Sequence, residues 1–500
     1  MVDETFPPHP LPSPASSQLE GSSDAVQRQV PYRSPWSRFI SAVCASLLLT
    51  ALGAILWSSA TVPKLDRLEN PDHALALMVG RMMEAQDGLQ RLPEWRQRLM
   101  EWMSGSQDTE RAQAIEWYRE LAYAKNDRLS KFRFAILLGE FRDPSEAVLE
   151  AKGWQTPDGS MDPLIQLIEA AYEGLPLAQP REVELQALLA ETIPGDWFYN
   201  HLAARLAQRA GDTELLQTVE QQIAAKGDHA QRWNGPLVDL ELLCLLFGSF
   251  ILIAMIRRNP EPRDWFRLHA PGIPPPWSGE TGAAVLLRGG ALGAGITVAF
   301  LSVPSFEHAS LRALAIPLAN LPLLVLAYIQ LLKPAGLNFR DGFGLRIDRT
   351  QLGQLGGVVL AVAAAGLWGE WVMGRATEFW GLSNHWTEWF DPDLVWAAPS
   401  VLGISLLEYI VFAPIFEELA FRGLLYAMLR RKFSFLPAAL ISTSLFALAH
   451  GYGVIGFISV FWSGFLWAWI YERTGSIIPG MIAHATNNLL VCLMVLLLLR

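Results

Sequence analysis

The sequence predicts an all-α protein: a polytopic bundle of about nine transmembrane helices, with a helical extramembrane domain inserted after the first span. Three observations predict this architecture. Hydrophobic residues make up 51% of the chain and charged residues only 18%, whereas roughly a quarter of the residues in a soluble protein are charged. The apolar residues gather in long runs. One extended polar stretch with helical periodicity separates the first run from the others.

The N-terminal part predicts a tail followed by a membrane anchor. Residues 1–35 are rich in Pro and Ser without apolar periodicity, which predicts a disordered cytoplasmic tail. The first apolar run, 36–61, has Arg28, Arg33 and Arg38 at its start. It lies far from the N-terminus and has no clear A-x-A site, so we expect an uncleaved anchor helix rather than a signal peptide. Its basic flank predicts a cytoplasmic N-terminus.

Residues 62–235 predict a helical soluble domain. Apolar residues recur there at three- and four-residue spacing, as in Ala114, Trp117, Tyr118 and Leu121. The segment 196–223 predicts two helices joined by a Gly-Asp turn and faintly resembles a tetratricopeptide hairpin, although an ordinary helical hairpin is the interpretation we favour. This region contains no catalytic constellation. Substrate presentation, assembly of a complex and binding of a protein partner all stay open for it.

Residues 236–500 predict a multi-span membrane domain. In lipid, each long apolar run must be a helix, because every backbone polar group needs an internal partner. The runs that follow the anchor are 237–256, 283–303, 311–332, 355–372, 395–429, 436–449, 455–471 and 478–499.

Charged residues beside the runs predict an orientation in the membrane. Basic residues follow the second, fourth and sixth runs and share one side if the N-terminus is cytoplasmic. They are Arg257, Arg258, Arg263, Arg267, Lys333, Arg340, Arg346, Arg349, Arg430, Arg431 and Lys432. The soluble domain then lies on the far side of an integral, multi-pass protein, which we expect in the plasma membrane. The loop after the fifth run also lies there, and its tryptophans predict an interfacial belt: Trp380, Trp386, Trp389 and Trp396.

Ionisable residues inside the sixth run are the first functional candidates, because charge within a membrane span is costly. Glu418 and Arg422 are four residues apart, so they can form an ion pair on one helix face. Glu417 points about 100° away and lacks that partner. A carboxylate in a low-dielectric environment can transfer protons near neutral pH. The alternative is a purely structural salt bridge.

Two further motifs supply histidines. The seventh run ends with Phe446 and His450 at four-residue spacing, and the next residue, Gly451, is free to break the helix. The last run contains His484 and Asn488, which share one helix face and can both donate hydrogen bonds to an oxyanion. Considered alone, His450 would have a structural or interfacial role. His484 and Asn488, considered alone, would form a polar contact between helices.

Together these groups suit hydrolysis of a peptide bond in a dry site, which needs an activated water and a stabilised oxyanion. Glu417, His450 and His484 could also bind a divalent metal such as zinc. The HExxH spacing of soluble zinc proteases is absent. The sequence therefore leaves metal-bound water and directly activated water both open. The chain has no basic stripe and no matching motif, so nucleic acid is not an expected partner.

The three motifs, in this order, resemble those of the CAAX-protease and bacteriocin-processing family of intramembrane endopeptidases (CPBP, or Abi), which includes Ras-converting prenyl proteases. The family pattern EExxxR, FxxxH, HxxxN is matched by 417–422, 446–450 and 484–488. The resemblance covers about 395–500.

This resemblance implies a role for each motif residue and a class of substrate. Glu417 would act with His450 to activate water, and His484 with Asn488 would form the oxyanion site. Glu418, Arg422 and Phe446 would be supporting residues. Family members have been described both as metalloproteases and as glutamate proteases. The implied substrate is a membrane-associated peptide or protein, and the motifs do not imply that it is prenylated.

Two other functions compete with proteolysis. An ion- or proton-coupled transporter could use the same buried charges, but no internal repeat or pair of broken helices supports it. A non-catalytic scaffold or immunity protein could keep the same fold. One geometric difficulty also arises, because simple alternation of spans puts His450 near the far face and His484 near the cytoplasmic face. Short or tilted helices would bring them to a common depth; otherwise the predicted boundaries are wrong.

Overall fold

A computed structural model describes residues 35–154, 162–174, 177–258, 268, 273, 277–303, 309–345 and 347–500. Within these ranges every regular element is helical and no strand occurs. The predicted all-α class is therefore confirmed. The predicted disordered tail, residues 1–35, lies outside the described residues except for Pro35.

The anchor is a single helix, α1 (Pro35–Thr61). At its start, Arg288 donates hydrogen bonds to the Ser37 carbonyl (2.5 Å) and to the hydroxyls of Ser37 (2.8 Å) and Ser41 (3.2 Å). Near its end, Ile55 lies against Gly451. The anchor therefore packs beside the other helices, and Arg288, a cation inside an apolar helix, is used to hold it there.

The soluble domain is a stack of short helices with a continuous apolar core. Aspartate side chains cap several of them: Asp127, Asp143, Asp162 and Asp196 each accept a backbone N–H from the first turn, as N-cap residues do. The helices are α2 (Pro71–Gln90), α3 (Glu94–Ser104), α4 (Gln107–Lys125), α5 (Arg128–Phe141), α6 (Pro144–Lys152), α7 (Pro163–Tyr172), α8 (Gln179–Thr192) and α9 (Trp197–Ala210).

The predicted helical hairpin at 196–223 is present. Helix α9 ends at Gly211, which has the left-handed conformation (φ 73°) that glycine tolerates best. Helix α10 (Thr213–Arg258) follows and runs for 46 residues through Pro236. The predicted boundary at 235/236 therefore falls inside one continuous helix rather than in a connecting segment. The first half of α10 belongs to the soluble domain and the second half to the membrane bundle.

Eight described helices are long and apolar enough to cross a membrane, so the polytopic bundle is confirmed. Besides α1 and α10 they are α11 (Gly279–Leu301), α12 (Ala309–Ala327, extended by a π-helical turn at Tyr328–Leu332), α13 (Leu352–Trp380), α14 (Pro399–Leu429), α16 (Val454–Thr474) and α17 (Ile478–Leu499). The ninth predicted run forms α15 (Phe435–Ala449), which has only 15 residues. At 1.5 Å per residue it is about 22 Å long, too short for a core of about 30 Å. The prediction of about nine spans therefore corresponds to eight long helices and this shorter one among the described residues.

Helix α14 is irregular at two places. Its π-helical stretches cover Glu408–Phe412 and Glu418–Tyr426. Such stretches release backbone carbonyls from the normal α-helical pattern and are frequent at functional sites. Two carbonyls in these stretches accept side-chain donors from other helices: Tyr409 from Asn488 (2.9 Å) and Phe421 from Ser442 (3.0 Å).

The prediction of an aromatic belt in the loop between α13 and α14 is wrong for one of its four tryptophans, Trp386. Trp386 is fully buried, and it packs with Phe390 and the soluble domain in one core. His385 also lies 3.0 Å from Glu120 of the soluble domain. Trp386 therefore fastens the loop to the domain instead of facing lipid. The other predicted belt residues, Trp380, Trp389 and Trp396, are exposed.

Candidate active site

A buried ion pair lies at the centre of the motif residues. Arg422 Nη1 donates to Glu418 Oε1 at 2.9 Å, and both side chains are only 1% exposed. The sequence predicted this pair from the four-residue spacing. A buried ion pair needs further partners to offset the loss of hydration, and the neighbouring helices provide them.

The Arg422 guanidinium is enclosed by α15 and α16. Its Nη2 donates to the Gly464 carbonyl (2.9 Å), and its carbon lies 4.3 Å from the centre of the Phe446 ring and 5.2 Å from that of Trp467. A Cβ at position 464 would lie 2.7 Å from Nη2, so glycine is required for this approach. Phe446 and Trp467 bind the cation through their ring faces.

His484 joins the two adjacent carboxylates. Its Nδ1 lies 3.2 Å from Glu418 Oε1, and its Nε2 lies 3.8 Å from Glu417 Oε2. The imidazole stacks on Trp467, with ring centres 3.9 Å apart and planes at 18°. Stacking and the Glu418 contact together fix the direction in which Nε2 points, which is toward Glu417.

Glu417 differs from its neighbour in exposure and in bonding. Its side chain is 32% exposed, whereas that of Glu418 is sealed. The Oε2 atom of each glutamate is buried without a hydrogen-bond partner among the described residues. The two carboxylates differ in that Glu418 is hydrogen-bonded to Arg422 through Oε1, whereas the described contact of Glu417 is the 3.8 Å approach of His484.

His450 caps the C-terminal end of α15, and Gly451 breaks the helix with a positive φ of 66°. Its Nδ1 donates to the Phe446 carbonyl at 2.8 Å, so the neutral ring carries its lone pair on Nε2. The Phe446 ring lies between the two histidines, 4.8 Å from the His450 ring and 6.1 Å from the His484 ring.

Simple alternation of spans put His450 and His484 near opposite faces of the membrane, and the short length of α15 removes this difficulty. Because this helix ends after 15 residues, His450 lies at the level of Phe446 and His484 instead of a full membrane thickness away. His450 is nevertheless beyond hydrogen-bond and ion-pair distance of Glu417. Among the described histidines, the one within ion-pair distance of Glu417 is His484 (3.8 Å), which the resemblance had paired with the oxyanion.

Asn488 lies one turn after His484, as predicted. One of its amide N–H groups donates to the Tyr409 carbonyl (2.9 Å) in the first π-helical stretch of α14. Its second N–H remains for another acceptor. Asn488 therefore joins α17 to α14 and keeps one donor for a ligand.

Comparison with known proteins adds a family assignment for this region. Residues 399–490 match the family model described as Type II CAAX prenyl endopeptidase Rce1-like. This segment is Rce1-like. The match confirms the family resemblance seen in the motifs, and it supports, at family level, an intramembrane protease of the CAAX type. No curated protein and no solved structure matches the chain.

The Rce1-like segment contains the three residues predicted as metal ligands. Among the described residues, no group of three His, Cys, Asp or Glu side chains is arranged to hold a metal ion. Glu417 Oε2 and His484 Nε2 lie 3.8 Å apart and could share a ligand, whereas the described contacts of His450 are with Phe446 and Tyr452 and not with Glu417. The predicted set of Glu417, His450 and His484 therefore does not fit a three-ligand site in this arrangement.

Several residues of this site were not predicted from the sequence. Trp467 contacts both Arg422 and His484, Gly464 makes room for the guanidinium, and the Tyr409 carbonyl positions Asn488. Gly464 and Trp467 are three residues apart on α16 and so share a face. A glycine within a helix of bulky aromatic residues was the available signal for a close approach.

Proposed function

We propose that the chain is an intramembrane endopeptidase that hydrolyses peptide bonds of membrane-associated substrates, with water activated by Glu417. One observation carries the proposal: of two adjacent carboxylates, Glu418 is buried and hydrogen-bonded to Arg422, while Glu417 is 32% exposed and lies 3.8 Å from His484 without a hydrogen bond to it. A general base must reach its proton and must not be neutralised by a permanent ion pair.

In the proposed reaction, Glu417 removes a proton from water while the water oxygen bonds to the scissile carbonyl carbon. The carbonyl π electrons move onto the oxygen and give a tetrahedral oxyanion. The oxyanion electrons then re-form the C=O bond as the C–N bond breaks; the electrons of that bond stay on nitrogen, and the proton held by Glu417 passes to the leaving amine. His450 assists through Nε2, which can accept a hydrogen bond from the water.

The proposed oxyanion donors are His484 and the second N–H of Asn488. His484 donates through Nε2 when that nitrogen carries a proton, and the contact between its Nδ1 and Glu418 orients the ring. Glu418 acts on the reaction through His484 and not by touching the substrate.

The proposed mechanism contains no metal step, because the three predicted ligands do not converge. We expect cleavage by the purified protein to persist in EDTA and in 1,10-phenanthroline. Loss of activity in both chelators, with recovery on adding zinc, would contradict this and would require His450 to rotate toward Glu417.

The decisive experiment compares Glu417→Gln with wild type by quantitative proteomics of membrane peptide termini. We expect the substitution to remove specific new termini, with at least a hundredfold loss of cleavage, because a carboxamide cannot accept the proton. Glu370→Gln is the matched control: Glu370 is a carboxylate in α13 bonded to Ser459 (2.5 Å), and its loss should leave the termini unchanged. If no terminus depends on Glu417, the protease proposal is wrong.

The same variant distinguishes the two alternatives. A scaffold or immunity protein would keep its cellular phenotype in Glu417→Gln, and a transporter would lose ion or proton coupling without any change in peptide termini. The side chains of Glu418 and Arg422 are each only 1% exposed, so neither member of the pair contacts solvent directly. This observation favours a fixed structural pair over a mobile charge relay.

We further propose a cytoplasmic N-terminus, with the soluble domain on the opposite side of the plasma membrane, where it meets a protein partner. Arg430, which ends α14, pairs with Glu472 near the end of α16 (2.7 Å), which keeps these basic ends on one side. A reporter fused to the N-terminus that is active only outside the cytoplasm should stay inactive; an active reporter would invert the topology.

A further inference from the structure

Helix α3 of the soluble domain has two apolar faces, and only one is used for packing. Met100 is buried against Leu89 and Val238. A second face is formed by Trp95, Leu99 and Trp102, at positions i, i+4 and i+7. Trp95 is 67% exposed and Trp102 is 39% exposed. A soluble domain gains nothing by holding two indole rings in water.

The position of α3 shows what this face meets. Arg96 of α3 donates to the Gly235 carbonyl (3.1 Å) and pairs with Asp239. Asp239 and Glu241 are the last two charged residues of α10 before its continuous apolar run begins. Helix α3 therefore crosses α10 at the level where α10 enters the hydrocarbon.

Contacts with a second spanning helix, α13, place α3 at the same level in the membrane. Trp371 of α13 donates its indole N–H to the Trp102 carbonyl (2.8 Å), and the Trp102 ring lies 5.5 Å from Trp371 and 6.3 Å from Trp368. These contacts form a tryptophan cluster where α13 approaches the soluble domain. Tryptophan is enriched at membrane–water interfaces because its ring is apolar and its N–H is polar.

We propose that α3 is an interfacial helix that lies on the bilayer surface, with Trp95, Leu99 and Trp102 inserted at the boundary between headgroups and acyl chains. The occupant of this face is phospholipid, since the face continues the lipid-facing surfaces of α10 and α13. Two charged residues of α3, Glu94 and Arg98, pair on the adjacent side (2.6 Å), facing the headgroups. The soluble domain is thereby fixed to the membrane at a third place, besides α1 and α10.

The test uses the full chain in vesicles of phosphatidylcholine and phosphatidylglycerol. The native cysteines Cys44, Cys244 and Cys492 are replaced by alanine, and a nitroxide is attached at Trp95→Cys or Trp102→Cys. Leu149→Cys on α6 is the matched control, since Leu149 is an equally exposed apolar residue (74%) of the same domain. Power saturation compares collisions with oxygen, which concentrates in lipid, and with a water-soluble nickel chelate.

We expect oxygen collisions to dominate at 95 and 102 and nickel collisions to dominate at 149. Nickel collisions that are as frequent at 95 as at 149 would overturn the proposal. Protection of 95 from both reagents would also overturn it, because a second copy or another protein would then cover the face. If the alanine background does not fold, quenching by brominated phospholipid decides the question. Trp95→Phe/Trp102→Phe should then lose part of the quenchable emission of the wild type, and unchanged quenching would refute the proposal.

Discussion

At the scale of single residues, the environments of Glu417 and Glu418 differ: Glu418 is buried in an ion pair with Arg422, whereas Glu417 is partly exposed. The sequence predicted this difference, because a four-residue spacing brings Glu418 and Arg422 together on any helix. It could not predict that His484 would touch both glutamates, since that contact joins residues 66 positions apart. Contacts between helices depend on rotation and depth, which spacing within one helix does not determine.

The ion pair yields a prediction about stability. Arg422→Met leaves Glu418 buried without its partner, which we expect to lower the free energy of unfolding by about 3–5 kcal/mol. The loss should appear as a lower Tm of the purified protein. Arg181→Met is the control, because it breaks an exposed pair with Glu184 and should cost less than about 1 kcal/mol.

A double variant tests whether the pair itself is responsible. If Arg422→Met and Glu418→Gln are combined, we expect the second change to recover part of the loss, since no unpaired buried charge remains. If the losses in the free energy of unfolding were additive, the two side chains would act independently, which would contradict the ion pair seen in the structure.

At the scale of elements, the sequence predicted the type and order of the helices, and for α15 also the length, since the predicted run 436–449 matches the helix Phe435–Ala449. It did not predict that α10 continues from the soluble domain into the bundle, because Pro236 and the change in composition there indicated a boundary between two elements. Trp386 is a second case: its indole is consistent with either an interface or a core, and only the neighbouring domain decides between them.

The turn that carries His450 is held from outside the bundle by Glu388. Its Oε2 accepts the Gly453 N–H (3.2 Å) at the start of α16, and its Oε1 pairs with Lys64 (3.2 Å) beside the anchor. The carboxylate therefore ties the His450 turn to the start of the soluble domain. A side chain at position 453 would collide with it, since a Cβ there would lie 2.9 Å from Oε1.

Removal of this tie should affect catalysis more than folding. We expect Glu388→Ala to lower Tm modestly, by the equivalent of about 1–2 kcal/mol, and to reduce kcat severalfold because His450 loses its fixed position. Glu388→Gln keeps an oxygen that can accept the Gly453 N–H and should recover most of the rate. Equal loss of kcat in both variants would assign the effect to charge and not to the hydrogen bond.

At the scale of the whole molecule, the soluble domain and the bundle share one core, which the separate predictions for 62–235 and 236–500 did not include. Val495 and Leu499 at the end of α17 pack in the same cluster as Leu75 of α2 and Trp197 of α9. Binary patterns indicate that a face is buried but not which partner covers it. The domain was therefore recognisable from sequence, whereas its docking was not.

A charged cluster inside the soluble domain makes the protein sensitive to pH. His201 lies 3.0 Å from Asp87 and 3.7 Å from Glu140, which Arg205 also binds (2.8 Å). Burial alone would lower the pKa of His201, but its hydrogen bonds with Asp87 and Glu140 together raise it to about 9. Burial alone would raise the pKa of Glu140, but hydrogen bonds from His201 and Arg205 lower it to about 2.

These shifts predict a stability profile with two limits. The contribution of His201 is complete below the ordinary histidine pKa of about 6.5 and is lost as the pH rises through 9. The contribution of Glu140 is complete above about 4.5 and is lost as the pH falls toward 2. We expect His201→Gln to lower Tm at pH 6 by several degrees and to have a much smaller effect at pH 10. A difference independent of pH would contradict the assigned protonation.

Helix α10 has a mechanical consequence. Its 46 residues extend about 69 Å at 1.5 Å per residue, and no hinge loop divides the part outside the membrane from the part inside. A rotation of the outer half must therefore move the inner half, which lies against α13, with a Cβ at Gly248 only 2.3 Å from the Leu360 carbonyl. A displacement of the soluble domain is therefore transmitted through α10 and α13 to the helices that carry the candidate site.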